Sequence, residues 1–219
     1  MSAAAEPGGR PYRGLAPEDR RAQRRERLLE AALDLFAADG YAVTRIDALC
    51  RRAGVTTRHF YELFPSREDL LLALYDRITH EHLAGVAAAL EGDPGAFDAT
   101  VRRAVHAGLG AWAADERRAR LAFVEVVGVS ERVEDHRLAT IEVYARTVAG
   151  ALQRAADAGT LPSGEFAWRA RAIVGAVIEV IVLWLHRRDR PPFEEVADEL
   201  ADLFLGGLRP AASAAAGRA

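Results

Sequence analysis

TRIDALCRRAGVTTRHFYELFPS, Thr44 to Ser66, is the stretch on which the fold turns. It reads as two short helices separated by a tight turn. Thr44 is placed to cap the first, with Asp47 three residues on as an approximate capping box. Ile46, Leu49, Cys50 and Ala53 give that helix its apolar side, and Gly54 stops it. After the Gly54-Val55 turn, Thr56 caps a second helix, Phe60 and Phe64 supply its apolar side, and Pro65 ends it. Two short helices joined this tightly are the skeleton of a helix-turn-helix. The second helix of such a unit lies in the DNA major groove, its first residues near base edges.

The outward positions of that second helix hold Thr57, Arg58, His59 and Tyr61, beside the capping Thr56. Arg58 can grip guanine with two hydrogen bonds, worth about 1–3 kcal/mol of discrimination. His59 donates or accepts, Thr57 offers a hydroxyl or a methyl group, and Tyr61 suits a phosphate oxygen. The free N–H groups at the start of the first short helix favour a phosphate beside Thr44 and Arg45. Arg67 opens the following helix and is expected to clamp the same strand. Arg20, Arg21, Arg24 and Arg25 are placed to follow the DNA backbone, and Arg10 and Arg13 to enter a minor groove.

Outward from this core the pattern stays helical, with no strand-like alternation and no internal repeat, so the fold class is all-α. A first helix is expected from Pro17 to Ala38, with Leu28, Leu29, Ala32, Leu33 and Phe36 as its stripe and Gly40 as a left-handed end. Ser66 caps a fourth helix, with Asp69 at the acid position, that runs to about Leu90. Later helices are expected over 96–114, 117–129, 131–158, 164–188 and 192–206. Residues 1–16 and 210–219 read as a disordered arm and tail. Residues 17–70 read as a DNA-binding domain, and 71–209 as a larger helical domain for effector binding and dimerisation.

Charge distribution agrees. The net charge of the 219 residues is −3, yet residues 10–67 hold 12 arginines against 8 acids, a mildly basic front on an acidic body. All 29 basic residues are arginine, a bias that fits GC-rich coding alongside abundant Ala and Gly. Cys50 is the single cysteine, so no intrachain disulfide can form and a reducing compartment is expected. No apolar run has the length of a membrane span and no signal-peptide core opens the chain, so a cytoplasmic location without membrane contact is expected. No motif calls for a metal or other cofactor.

The stretch LEAALDLFAADGYAVTRIDALCRRAGVTTRHFYELFPSREDLLLAL, Leu29 to Leu74, resembles the DNA-binding domain of the TetR (tetracycline-repressor-like) regulators. Phe36, Gly40, Tyr41, Thr44, Ile46, Ala48, Ala53-Gly54-Val55, Tyr61, Phe64, Ser66, Glu68 and Leu70 carry the likeness. It departs at Arg67, where lysine is common, and at Leu63, where a polar residue is frequent. The resemblance implies a homodimer on a palindromic operator. It also implies a helical second domain whose small-molecule effector shifts the spacing of the two reading heads, usually releasing a repressor.

Within that second domain, 167–185 is apolar nearly all round, and a helix buried on every side needs partners on every side. Pairing it with the final helix across a two-fold axis gives a four-helix interface of Gly175, Ile178, Val182, Leu200 and Phe204. Glu179 stands alone in this apolar run, either in a wet interface or against a ligand. Trp112, Phe123, Tyr144 and Trp184 are candidates to line an effector pocket, with His106 and Glu125 as polar anchors. An all-helical metal enzyme is the rival from another class, but no histidine has a glutamate three residues before it. A DNA-binding protein without any effector is the second alternative.

Overall fold

Pro17 suits the first turn of a helix because its missing N–H is unneeded there, and helix α1 begins on it, Pro17–Asp39. In the computed structural model, which describes residues 16–208, eight further helices follow. They are α2 (Ile46–Ala53), α3 (Thr57–Leu63), α4 (Arg67–Ala89), α5 (Phe97–Ala114), α6 (Glu116–Arg120), α7 (Glu131–Asp157), α8 (Ala167–His186) and α9 (Phe193–Leu208). No strand occurs among the described residues. The arm with Arg10 and Arg13, and the tail, lie outside them.

The three-helix head forms as its punctuation dictates. Gly54 adopts φ 62° and ψ 42°, a left-handed corner that glycine enters without steric cost. Thr56 and Ser66 cap α3 and α4, accepting from the N–H groups of His59 and Asp69. One cap differs from expectation. Thr44 does not cap α2: its hydroxyl donates to the Gly40 carbonyl at 2.7 Å, and Arg45 takes the cap position without a side-chain bond. Gly40 ends α1 at φ 95° and ψ 148°, a positive-φ conformation that suits glycine but lies outside the left-handed helical region.

Leu28, Leu29, Phe36, Leu49, Phe60, Leu70 and Leu74 are wholly buried, and this core continues into the second domain. Burial of each such side chain is worth about 1.5–3 kcal/mol. α4 is continuous from the head into the body, running unbroken through residue 70.

The body contains two corrections to the expected helices. The segment 117–129 is not one helix: α6 is short and continues into a π-helical turn, Leu121–Glu125. α9 turns its apolar stripe onto α5 of the same chain, so Leu200 and Phe204 are buried within the chain and cannot face another subunit. Arg102–Asp202 and His106–Asp198 pairs fasten the polar edge of α9 to α5. α8 keeps less of itself inside. Ala170, Val174 and Ile181 are buried, whereas Trp168, Gly175, Glu179 and Leu183 lie exposed along one side, and Val182 is half-buried.

Candidate DNA-reading surface and effector cavity

α3 is held by its own apolar side. Phe60 is fully buried, and Phe64 follows it into the core, which turns the opposite side outward. Thr57 is exposed, Tyr61 is 54% exposed, and the Arg58 side chain is 88% exposed. Arg58 Nε donates to Glu62 at 3.1 Å. Ion pairs this exposed are worth little, so the guanidinium can exchange Glu62 for a base edge. The Thr56 hydroxyl lies 3.0 Å from His59 Nδ1 and fixes the half-buried ring.

Around α3 the sequence-read contacts divide. Arg45 is exposed at the start of α2. Thr44 is 4% exposed, with its hydroxyl committed to Gly40, so its side chain is not available to a phosphate. Arg67 is turned inward too. Its guanidinium lies 4.2 Å over the Tyr41 ring and donates to the Thr44 carbonyl. Stacking and hydrogen bonding occupy the group assigned to clamping DNA, and Arg67 instead braces the approach to α2. Arg20, Arg21 and Arg25 are exposed on α1, with Arg21 donating to the Glu62 carbonyl at 3.3 Å; Arg24 is half-buried. Cys50 is buried, which pushes its thiol pKa up and keeps it unreactive.

The body holds a cavity of about 170 Å³ between α4, α5, α7, α8 and α9, closed at one end by Ala122 and Phe123. Along α4 it is lined by Tyr75, Thr79, His82, Val86 and Leu90, and along α7 by residues from Thr140 to Ala155. At 1.5 Å per residue these stretches make it about 20 Å long. Its walls are almost wholly apolar, and Asp93 and Arg154 stand at the end away from the head.

Trp112, Phe123 and Tyr144 line this cavity as the sequence suggested. Ile178 and Phe204, assigned to a subunit interface, line it as well. The other four ligand candidates do not reach it. His106 bonds Asp198 at 2.9 Å on the outside of α5. Glu125 accepts the Tyr41 N–H at 2.8 Å, toward the head. Trp184 donates to the Pro191 carbonyl and packs between Phe193 and Arg190, and Glu179 is exposed.

Sequence reasoning missed His82. Its ring stacks on Trp112 with centroids 4.2 Å apart, and its two nitrogens lie 2.9 Å from Tyr144 Oη and the Gly108 carbonyl. Burial among apolar walls lowers its pKa to about 4, so the imidazole is neutral at physiological pH. The same burial raises the Tyr144 phenol, and that of Tyr75 is pushed up to about 12. The usable signal was the spacing of Tyr75, Thr79, His82, Val86 and Leu90 on one side of α4. Among the described residues no cluster of His, Cys, Asp and Glu could hold a metal ion, and no helix is long and apolar enough to cross a membrane.

Residues 28–74 match the family model described as bacterial regulatory proteins, tetR family. No curated protein matches the chain. Several solved structures share its fold over nearly their full length. The fatty acid degradation regulator FadR from Bacillus halodurans is 18% identical, with a TM-score of 0.77 over 91% of this chain and 100% of that one. FadR from Bacillus subtilis, solved in complex with stearoyl-CoA, is 16% identical, with a TM-score of 0.75 over 84% and 99%. The TetR-family regulator PfmR from Thermus thermophilus is 26% identical, with a TM-score of 0.61 over 84% and 100%. Residues 28–74 thus carry a helix-turn-helix that matches the tetR model, on an all-helical body with the fold of these regulators.

Proposed function

We propose that the protein is a cytoplasmic repressor that binds a palindromic operator as a homodimer and leaves it when an elongated apolar effector fills the body cavity. The observation that carries the DNA half is the outward side of α3, exposed and polar on a helix whose other side is locked by Phe60. Thr57, Arg58 and His59 read base edges, Tyr61 and Arg45 meet phosphates, and Thr56 orients His59. In place of side-chain clamps from Thr44 and Arg67, the open N–H groups at the start of α2 face the backbone.

The effector half is supported by the shape of the cavity: long, narrow, apolar, and bordered by the exposed Arg154 at the end away from the head. Such a space suits an unbranched acyl chain with a charged head group at the mouth, and the stearoyl-CoA complex of the Bacillus subtilis regulator favours the same class. Homodimerisation is assigned to the outer side of α8, where Trp168 is 83% exposed and Leu183 55%. Gly175 lies on that side with no atom within 4 Å of the place a Cβ would occupy, which leaves room for a partner's backbone. Residues 17–70 and 71–209 remain the proposed division of labour, hinged on α4.

Selection of bound DNA from a random pool, repeated with stearoyl-CoA present, tests both halves. The expected result is a discrete inverted repeat whose enrichment falls when stearoyl-CoA is added. Failure to enrich any sequence would sink the DNA reading. For the interface, Leu183→Glu is expected to give monomers in sedimentation, and an unchanged dimer would move the interface elsewhere.

A further inference from the structure

Phe123 and Glu125 sit two residues apart on the π-helical turn Leu121–Glu125, and they face different parts of the molecule. Phe123 forms cavity wall, its ring edge-on to Trp112 with centroids 4.9 Å apart. Glu125 reaches the head. One carboxylate oxygen accepts the Tyr41 N–H at 2.8 Å, and the other lies 3.3 Å from Arg120 Nε. The Glu125 side chain is only 11% exposed, so this charge-assisted bond is made largely out of water, where it is strong. A Cβ at Gly40 would stand 3.4 Å from the same oxygen, so the end of α1 closes directly on the carboxylate.

Beyond Tyr41 the contacts continue without a gap. The Tyr41 ring carries the Arg67 guanidinium, and Arg67 holds the Thr44 carbonyl two residues before α2. A second tie runs in parallel: Arg117 of α6 pairs with Asp34 at 2.6 Å, and Asp34 also pairs with Arg52 of α2 at 2.6 Å. The first tie leaves from the turn that closes the cavity and ends two residues before α2; the second leaves from α6, just ahead of that turn, and ends on α2 itself. A π-helical turn holds one residue more than an α-helical turn. Such turns are frequent at functional sites.

We infer that the π-helical turn Leu121–Glu125 positions the reading head according to the state of the cavity wall, with Glu125 as the positioning residue that grips the head at Tyr41. The inference rests on the proposed effector reading only for what fills the cavity; the coupling of wall to head is a property of the ligand-free protein.

A double-mutant cycle on operator affinity, using DNA from the random-pool selection, tests it. Phe123→Ala is expected to shift affinity about fivefold or more, the lower range of measured couplings between sites. In a Glu125→Ala background that shift should shrink to less than about twofold. Glu125→Gln, whose amide oxygen accepts the same N–H, should restore it. Amide exchange at Tyr41 should quicken in Glu125→Ala and also in Phe123→Ala, which leaves the Glu125 side chain intact. Additive effects in the cycle, no effect of Phe123→Ala on affinity, or unchanged Tyr41 exchange in Phe123→Ala would each overturn the inference. Should Glu125→Ala not fold, the Tyr41 exchange of Phe123→Ala decides alone. Stearoyl-CoA separates this from the effector reading. Equal release of the parent and Glu125→Ala by stearoyl-CoA refutes the positioning role but keeps the effector. A coupled cycle with no stearoyl-CoA binding by calorimetry refutes that effector but keeps the coupling.

Discussion

The head and the body are made of the same material, apolar-striped helices, but are packed to different standards. In the head the large side chains of α1 to α3 meet with nothing between them; Phe36, Leu49 and Phe60 are wholly buried. In the body, α4, α5, α7, α8 and α9 stand apart around about 170 Å³ of space. Contacts across such a void are lost outright, so the body gives up packing energy that the head keeps. A reader of base edges must hold its side chains within fractions of an ångström, and a receiver must leave room.

The contrast breaks if trimming costs the same in both places. Phe36→Ala, in the head, is expected to lose about 3–5 kcal/mol in chemical denaturation. Val177→Ala, on the cavity wall, should cost no more than about 1 kcal/mol, because its neighbours on that side are already missing. Equal losses would mean that the cavity is closed in solution.

A sharper probe uses His82, the ionisable ring that the body buries without a charged partner. Its pKa is lowered from 6.5 to about 4, so between these values the unfolded chain binds a proton that the folded chain refuses. Stability is therefore full above pH 6.5 and is lost as pH falls toward 4, by up to about 3 kcal/mol from this group. His82→Phe should flatten that stretch of the stability–pH curve. An unaltered slope would place the ring in water and open the cavity wall.

How much of this was legible follows from where the information sits along the chain. The head was readable because its signals are local: Gly54, Thr56, Pro65 and Ser66 mark its corners within a dozen residues. Even there the bonds of Thr44 and Arg67 were not legible, since each goes to a backbone carbonyl that only the folded turn brings near. The body was readable as helices and little more. Leu200 and Phe204 show a proper apolar stripe, but periodicity does not say which helix covers a stripe, and α5 of the same chain does. A cavity is an absence shared by several helices and has no sequence signature of its own. Trp112, Phe123 and Tyr144 fall on the cavity wall because large aromatics gather wherever inner walls exist, and Trp184 for the same reason packs against a different one.

Smaller effects refine the comparison on the DNA side. Arg58→Ala should cost about 1–3 kcal/mol and relax preference at one base position. Arg45→Ala should weaken binding to all sequences and reduce the salt slope by about one. If Arg58→Ala weakens every sequence equally, it is a phosphate contact and α3 sits differently in the groove. Smallest of all, Glu62→Gln removes the exposed partner of Arg58 and should change folding stability by less than about 0.5 kcal/mol. A larger loss would show that α3 depends on that pair to stay formed.

The stacking of Trp112 on His82 makes the protein its own indicator. Of three tryptophans, Trp168 is in solvent and Trp184 is packed beneath Arg190, so replacing both with phenylalanine leaves a single indole in the wall of the chamber. Its emission depends on the ring against it and on whatever lies in the space beside it. Filling could then be followed by light, in real time and on the unlabelled chain, independently of whether DNA is present.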